Sequence, residues 1–435
     1  MSSNAGAFLL VAAATALAAQ PSDPMDRVAR AGDILADRAK RLPDYVCVQT
    51  VDRRYFKQRH ISSPPSCDQL RSAGAHDLVL ESTDRLRLDV KVSQGNEIGS
   101  WPGSKFSSRS IFDLIGGGPY ETGQIGALIS DIFGNPGATY RYTRDENGLS
   151  AYSYRVPAPS SHYQIKAGAN WTTTAFSGAF WLDSNTLDLT RLTAQADELP
   201  PSTGMCEIET AVDYQKVKVG EGEFLLPRQS SMRHVMRDGT EAQITAVYSG
   251  WREFRGESTI RFDEVTVAGG AKNVAVAAPL PEGLPISLAL TEPIDTDTAA
   301  AGDIVRAKVR KTVREPGSKA VLAPAGAMVE GRIVQMEHWL NEPRHFTISI
   351  LLEKLQVGGL SRPLYAHVDQ REPLKPGDVL HGTAVFVEPV KGVPLPAVAP
   401  RVAAFPFVTD NNRYLVRAGY ESDWVTVQPP TDENK

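Results

Sequence analysis

The stretch from Ala175 to Phe262 constrains the fold most. It reads AFSGAFWLDSNTLDLTRLTAQADELP, then AVDYQKVKVGEGEFLLPRQSSMRHV, then TEAQITAVYSGWREFRGESTIRF. Apolar and polar residues alternate in short runs, and turn residues separate the runs at regular spacing. Alternation with period two turns one face of each run toward a core and the other toward water. The stretch therefore predicts an antiparallel sheet with one buried face. No set of residues in it has the pattern of a reaction centre.

A chain of 435 residues exceeds one ordinary core, so two domains are expected. Apolar content of 42% and charge of 22% are those of a folded globular protein. The formal net charge of -5 argues against a general nucleic-acid binder. Outside the N-terminus no apolar run is as long as the roughly 18 residues that a membrane-spanning helix needs, so no transmembrane span is expected in the mature chain.

The N-terminus points to export. Ala7 to Ala16 is apolar (AFLLVAAATA), Ala16-Leu17-Ala18 meets the small-residue rule for cleavage, and Pro21 follows. Residues 1–18 are read as a signal peptide cleaved near Ala18, with a periplasmic or outer-envelope location. No Lys or Arg precedes the apolar run, which departs from the usual pattern and leaves a buried helix or an uncleaved anchor as alternatives. In an exported chain Cys47 and Cys67 are disulfide candidates, closing a short loop worth about 3 kcal/mol in chain-entropy terms. Cys206 is then either a buried thiol or a partner for one of them, and spacing does not choose. There is no C-x-x-C.

Along the chain, Ser22-Asp23-Pro24 opens a helix whose apolar stripe is Met25, Val28, Leu35, Ala39 and Leu42, and Pro43 ends it. Tyr45 to Phe56 alternates as a strand. Cys67 follows a Pro/Ser turn region. Leu78 to Val92 reads as strand, turn, strand, and Asn96 to Pro102 as a strand. Ser110 to Phe133 reads as two short helices joined by a glycine turn, and strands return from Tyr140. Gly269 to Pro285 is Gly, Ala and Pro-rich and reads as a linker. A second all-β region spans 286–427, with a proline-rich piece at 389–400 and a polar tail from Gln428. Asp410-Asn411-Asn412 is a hairpin-turn signal.

The domain expected over 19–268 resembles a known group. LADRAKRLPDYVCVQT, GAFWLDSNTLDLTRL and FLLPRQSSMRH are similar to the opening helix-strand, the strand-Asp-turn-strand element and the late strand of LolA/LolB-like lipoprotein carriers, over roughly residues 25–265. DRLRLDV, FDLIGGGPYETG and GWREFRGEST look closest to uncharacterised secreted acidobacterial-type proteins. The first resemblance implies a curved antiparallel half-barrel with a helix lining its concave side, able to hold an acyl chain or an extended protein segment. LPEGLPISLALTEPIDTDTAAAGDIVRAKV and VLAPAGAMVEGRI resemble the β-barrel of TrbI-type conjugation proteins, over about 280–375, which implies a smaller barrel-like envelope module. The expected fold is thus mainly β, with an α+β first domain.

Motifs that carry chemistry are weak. GGGPYETG lacks the Gly-Lys-Ser/Thr end of a phosphate loop and reads as a helix-breaking turn. DTDTAAAGD (295–303) has alanine at the fifth position of a calcium loop and reads as a solvated turn. EHWLNEPRH (337–345) places its histidines seven apart with Pro343 between, not four apart on one helix, and reads as an exposed loop. There is no G-x-S-x-G, S-x-x-K or H-E-x-x-H. No catalytic residue, cofactor or metal site is assigned. Phe176, Phe180, Trp181, Leu182, Tyr214, Phe224, Leu225 and Tyr248 are candidates to line an apolar cavity, with core packing as the alternative for most; Trp171, Trp251 and Trp339 are candidate rim contacts. Three functions are carried forward. The first is a non-catalytic envelope protein binding a lipid, a lipoprotein or a protein segment. The second is a ligand-free scaffold contacting another envelope protein. The third is a hydrolase in which His, carboxylate and Ser meet from separate strands.

Overall fold

The computed structural model describes residues 23–59, 66–72, 78–93, 96–107, 111–115, 117–120, 122, 126–167, 170–254, 278–368 and 401–429. The expected signal peptide, most of the expected linker and the 389–400 segment lie outside them. Asp23 accepts a hydrogen bond from the Met25 amide (2.9 Å) and Pro24 takes the first helical position, so α1 (Pro24–Arg41) begins where the capping signal places it. Val28, Ala31 and Leu35 are its buried stripe. Met25 lies one turn before the packed part of that stripe and is 41% exposed.

After Pro43 come β1 (Tyr45–Gln58), a short α2 (Cys67–Ser72) and β2 (Leu78–Ser93). β2 is a single strand of 16 residues, which corrects the strand-turn-strand reading. Its polar centre, Ser82-Thr83-Asp84, looks like a turn only until Asp84 is seen buried against Arg53 of β1. Next are β3 (Asn96–Ser100), α3 (Ile111–Leu114), α4 (Ala127–Phe133), β4 (Thr139–Glu146) and β5 (Leu149–Val156). A separate hairpin, β6 (Gln164–Ala167) and β7 (Asn170–Thr173), precedes β8 (Phe176–Asp183), β9 (Leu189–Ala196), β10 (Met205–Val219), β11 (Gly222–Met236) and β12 (Thr240–Glu253).

These strands pair antiparallel in the order β3-β2-β1-β12-β11-β10-β9-β8-β5-β4. The register carries one row straight across: Leu86, Val51, Ala246, Ser230, Val212, Leu192, Phe180, Tyr152 and Tyr142 are successive partners. Because side chains alternate along each strand, that row defines a single covered face. α1 and α4 pack on its β5–β8–β9 side, in a cluster with Tyr152, Tyr154, Phe176, Phe180 and Leu192. The 111–120 segment packs on its β1–β2 side through Phe112, Ile115 and Tyr120.

The disulfide joins Cys67 to Cys206 (Cα–Cα 5.1 Å), and Cys47 is a buried free thiol. This corrects the Cys47–Cys67 candidate. Cys47 is on the covered face of β1, opposite Val90, whereas Cys67 opens α2, which packs through Leu70 beside Cys206 and Val235. Burial, with a smaller push from the Glu97 charge, holds the Cys47 thiol well above its ordinary range.

The second strand set comprises β13 (Pro285–Leu290), β14 (Ile294–Asp295), β15 (Ile304–Val309), β16 (Val313–Arg314), β17 (Val321–Ala323) and β18 (Met328–Trp339). It continues with β19 (His345–Val357), β20 (Leu360–Pro363), β21 (Ala366–Val368), β22 (Val402–Val408), β23 (Leu415–Val416) and β24 (Glu421–Thr426). The order is β21-β24-β13-β15-β18-β19-β22, with β20 on the last residues of β19. The sheet is not closed into a barrel by these pairings. It has its own core around Leu288, Ile348, Phe405, Phe407 and Trp424. Asp410–Asn412 does not close a hairpin: β23 pairs with β14 instead of β22, which corrects the turn reading. The sequence signal is local, and the partner is decided by where Ile294 and Val416 find a common core.

The two sets meet at β2. Its Ser82, Thr83 and Asp84 pair with Trp339, His338 and Glu337 of β18, so one antiparallel sheet of 18 strands runs through both. Leu86 also bridges Ala301, Arg87 pairs with Asp303, Arg85 reaches the Asp297 carbonyl, and Arg332 donates to the carbonyls of Pro102 (2.9 Å) and Gly302 (2.7 Å). Gly302 has φ +109° and a Cβ there would meet the Arg87 carbonyl at 2.2 Å, so only glycine permits this approach.

His234 on β11 is buried, and neither ring nitrogen has a hydrogen-bond partner among the described residues. Burial pushes its pKa down from 6.5 to about 4. A depressed folded value means the stability is present above the unfolded pKa and is lost as pH falls through the folded one. Between pH 6.5 and about 4 the protein is expected to lose up to about 3 kcal/mol on this account. Urea melts of the wild type and His234→Leu at both ends of that window test it; an equal acid loss in the variant defeats the assignment.

Candidate functional site

The covered face is the best-defined candidate, and its two ends differ in chemistry. At the β5–β8–β9 end the floor is aromatic. Tyr152 and Phe180 stack at 5.1 Å, Phe133 of α4 meets Phe180 edge-on at 4.9 Å, and Tyr163 stacks on Phe176 at 5.2 Å. Such pairs contribute about 0.5–1.5 kcal/mol beyond their burial. α1 is held over this floor by few side chains. Three apolar residues face down, and polar anchors stand at each end. Arg27 donates to the Ser150 hydroxyl (2.8 Å) and pairs with Asp145, Tyr152 donates to the Pro24 carbonyl (3.0 Å), and Arg38 pairs with Asp188 (2.5 Å). Asp188 is held below the ordinary carboxylate range: burial opposes this, and the hydrogen bonds from Lys216, Arg38 and Thr186 overcome it.

At the β1–β2–β12 end a polar network is set into an otherwise apolar floor. Gln49 donates to the Tyr248 oxygen (3.1 Å), Tyr120 donates to the Gln49 carbonyl oxygen, and the Ser230 and Tyr248 hydroxyls are 3.4 Å apart. Farther along β1, Arg53 is clasped by both oxygens of Asp84, each at 2.7 Å, and donates to the carbonyls of Gly117 (3.0 Å) and Pro119 (3.4 Å). The Arg53 guanidinium thus ties the 111–120 segment to the floor. Gly118, at φ +80°, lets it: a Cβ would sit 2.6 Å from Arg53 Nη1. Glu337, opposite Asp84, has its pKa raised by burial first and by the Asp84 charge next.

The sequence candidates fall into place unevenly. Phe176, Phe180, Leu182 and Tyr214 are in the aromatic cluster, and Leu225 packs against it. Tyr248 and Phe224 belong to the cluster at the polar end. Trp181 is half-buried on the other face of β8, between Phe180 and Leu182. Trp171 is 53% exposed, edge-on to Phe112 with Lys166 over both rings. Trp251 stacks near Tyr248, and Trp339 lies in the β2–β18 seam.

The 337–345 segment is not an exposed loop throughout: His338 is buried on β18 and stacks on Phe346 at 4.0 Å, while His345 opens β19 and bonds the Pro343 carbonyl (2.7 Å). Asp295 and Asp303 are taken by Arg413 and Arg87. Among the described residues no three His, Cys, Asp or Glu are grouped to hold a metal ion.

A cleft of about 380 Å³ lies between the end of α4 and the β5–β6 connection. Buried Asp131 accepts from the His162 amide (2.9 Å), and its other oxygen is 2.5 Å from His162 Nδ1. Ser130, Ser160 and Ser161 share the cleft. The Ser160 hydroxyl donates to Pro157, the Ser161 hydroxyl accepts from Tyr163, and neither is bonded to His162. Sequence reading missed this pair, since 31 residues separate its members and no motif spans them.

No protein-family model and no curated protein matches the chain. Solved structures similar to it include a domain named for outer membrane lipoprotein sorting from Vibrio parahaemolyticus, at 12% identity and TM-score 0.26, covering 53% of this chain and 95% of that one. A LolA superfamily protein from Nitrosomonas europaea is 11% identical with TM-score 0.24, covering 52% of this chain and 94% of that one. A DUF1329 family protein from Desulfovibrio piger is 13% identical with TM-score 0.23, covering 56% of this chain and 98% of that one. The solved structures this chain is similar to are thus LolA-superfamily, lipoprotein-sorting and DUF1329 proteins.

Proposed function

We propose that the first strand set is a non-catalytic carrier in the cell envelope, binding the apolar part of a lipid or lipoprotein on its covered face. The observation that supports this is the way the face is roofed. Among the described residues the aromatic floor, which spans several strands, is roofed by α1 and α4, and the other end of the face by Phe112, Ile115 and Tyr120. α1 contributes three buried side chains and is otherwise held by exchangeable ion pairs. An apolar chain that takes the place of α1 gains the same floor at about 25 cal/mol per Å². The chain is read as exported, with residues 19–268 as the carrier unit and 286–427 as an appended β unit that contacts other envelope components.

Loosening the roof is the test. Arg27→Ala with Arg38→Ala removes both anchors and is expected to raise uptake of the apolar fluorophore N-phenyl-1-naphthylamine about threefold, as two partly exposed ion pairs are worth up to about 1 kcal/mol together. Native mass spectrometry with organic extraction should show a lipid mass on protein from a periplasm. Neither uptake nor lipid in either protein would sink the reading. That outcome would favour the scaffold reading, which the complete burial of Tyr152, Phe176, Phe180 and Leu182 supports.

A further inference from the structure

Two hydrogen-bond donors at the polar end of the covered face are buried without an acceptor. The Tyr45 hydroxyl belongs to a side chain that is 0% exposed, and neither it nor the buried Trp251 Nε1 has a partner among the described residues. The two rings are neighbours, 5.6 Å between centroids, on the paired strands β1 and β12. A buried unsatisfied donor is destabilising by about 1–3 kcal/mol and native structures rarely keep one without a reason. Two side by side, next to the Gln49, Tyr120, Tyr248 and Ser230 network, are an arrangement for a ligand that brings acceptors.

The charge of the surroundings limits what that ligand is. Burial raises the hydroxyl pKa values of Tyr45, Tyr120, Tyr214 and Tyr248, so all four remain neutral, and the Glu97 carboxylate adds to each shift. Two arginines at this end of the face are engaged by carboxylates: Arg53 by Asp84, and Arg252 by Asp89 at 3.4 Å. A carboxylate or phosphate headgroup would lose its hydration in a buried site of low dielectric where these two guanidiniums are already paired. An uncharged ester or amide offers acceptors to these donors without that cost.

We propose that this end of the face is a headgroup site for an uncharged, carbonyl-bearing amphiphile, read by the Tyr45 hydroxyl and Trp251 Nε1. The proposal rests on the carrier reading. From β1 to the aromatic floor on β8 the register crosses five interstrand steps, about 24 Å at the usual strand spacing. The head would sit under the 111–120 segment while the tail runs toward Phe180.

The test is displacement of N-phenyl-1-naphthylamine from the full chain by monooleoylglycerol and by oleate, which share one tail. Monooleoylglycerol is expected to displace it at about tenfold lower concentration, the size of one well-placed hydrogen bond to a buried donor. Tyr45→Phe should shrink that preference to about twofold while leaving the thermal midpoint unchanged or higher, since it removes an unsatisfied hydroxyl. Trp251→Phe should act in the same direction and serves if the first variant folds poorly. Equal potency of the two lipids, an oleate preference, or a preference unmoved by both variants overturns the headgroup site while the carrier reading stands. No uptake of the fluorophore overturns both.

Discussion

Cys206→Ala is expected to lower the unfolding free energy by about 5 kcal/mol, whereas Cys47→Ala is expected to lose only about 1–2 kcal/mol. The bridge from Cys67 closes a sequence separation of 139 residues. In the chain-entropy account a loop of that size stabilises by about 2 kcal/mol more than the short Cys47–Cys67 loop would. Part of the loss is local. α2 is held to β10 by the disulfide, by Leu70 against Val235, and by Arg71, whose guanidinium donates twice to the Cys206 carbonyl (3.0 and 2.7 Å). Guanidinium denaturation of the oxidised wild type and the two variants reads the difference. A non-reducing digest should link the Cys67 and Cys206 peptides and leave Cys47 unmodified until unfolding, as expected of a buried thiol. Linkage through Cys47, or equal losses in the two variants, would show the pairing to be wrong.

Asp84→Ala is expected to destabilise the protein by about 3–5 kcal/mol, among the largest effects of any single side chain away from the disulfide. Arg53 and Asp84 are 5% and 7% exposed. Removing the carboxylate leaves a guanidinium in the interior with two backbone carbonyls and only the more distant Glu337, across the β2–β18 seam, to balance its charge. The Tyr55 hydroxyl, 3.2 Å from Asp84, loses its acceptor as well. Arg53→Met combined with Asp84→Leu should recover most of the stability, because the pair's attraction roughly repays its desolvation and apolar residues avoid both terms. The recovered protein should still differ in one respect: the 111–120 segment, no longer tied through Gly117 and Pro119, should exchange its amide hydrogens faster. A loss under 1 kcal/mol for Asp84→Ala would mean that the ion pair is not formed in solution.

What the sequence determined by itself is local. Period-two alternation marks the stretch that holds β8 to β12 as antiparallel strand, because a strand with one buried face must write that face at every second position. Capping chemistry places α1, since Asp23 and Pro24 act on their own neighbours. Phe180 and Tyr214 lie on the covered face, while Trp181, next to Phe180 and just as large, lies on the other, so size alone does not assign a face.

The tertiary structure decided everything that depends on a partner far along the chain. Ser82-Thr83-Asp84 looks like a turn by composition and becomes mid-strand only because Arg53, 31 residues earlier, neutralises Asp84 and β18 pairs its other edge. Cysteine pairing followed from the packing of α2 on β10 and not from loop length. The two-ended chemistry of the covered face was hidden for the same reason. Tyr45, Gln49, Tyr120, Ser230, Tyr248 and Trp251 are unremarkable one at a time, and only strand register and the return of the 111–120 segment make them neighbours. Short-range patterns specify which face of an element is buried; the free energy that selects one partner for that face is a property of the assembled core.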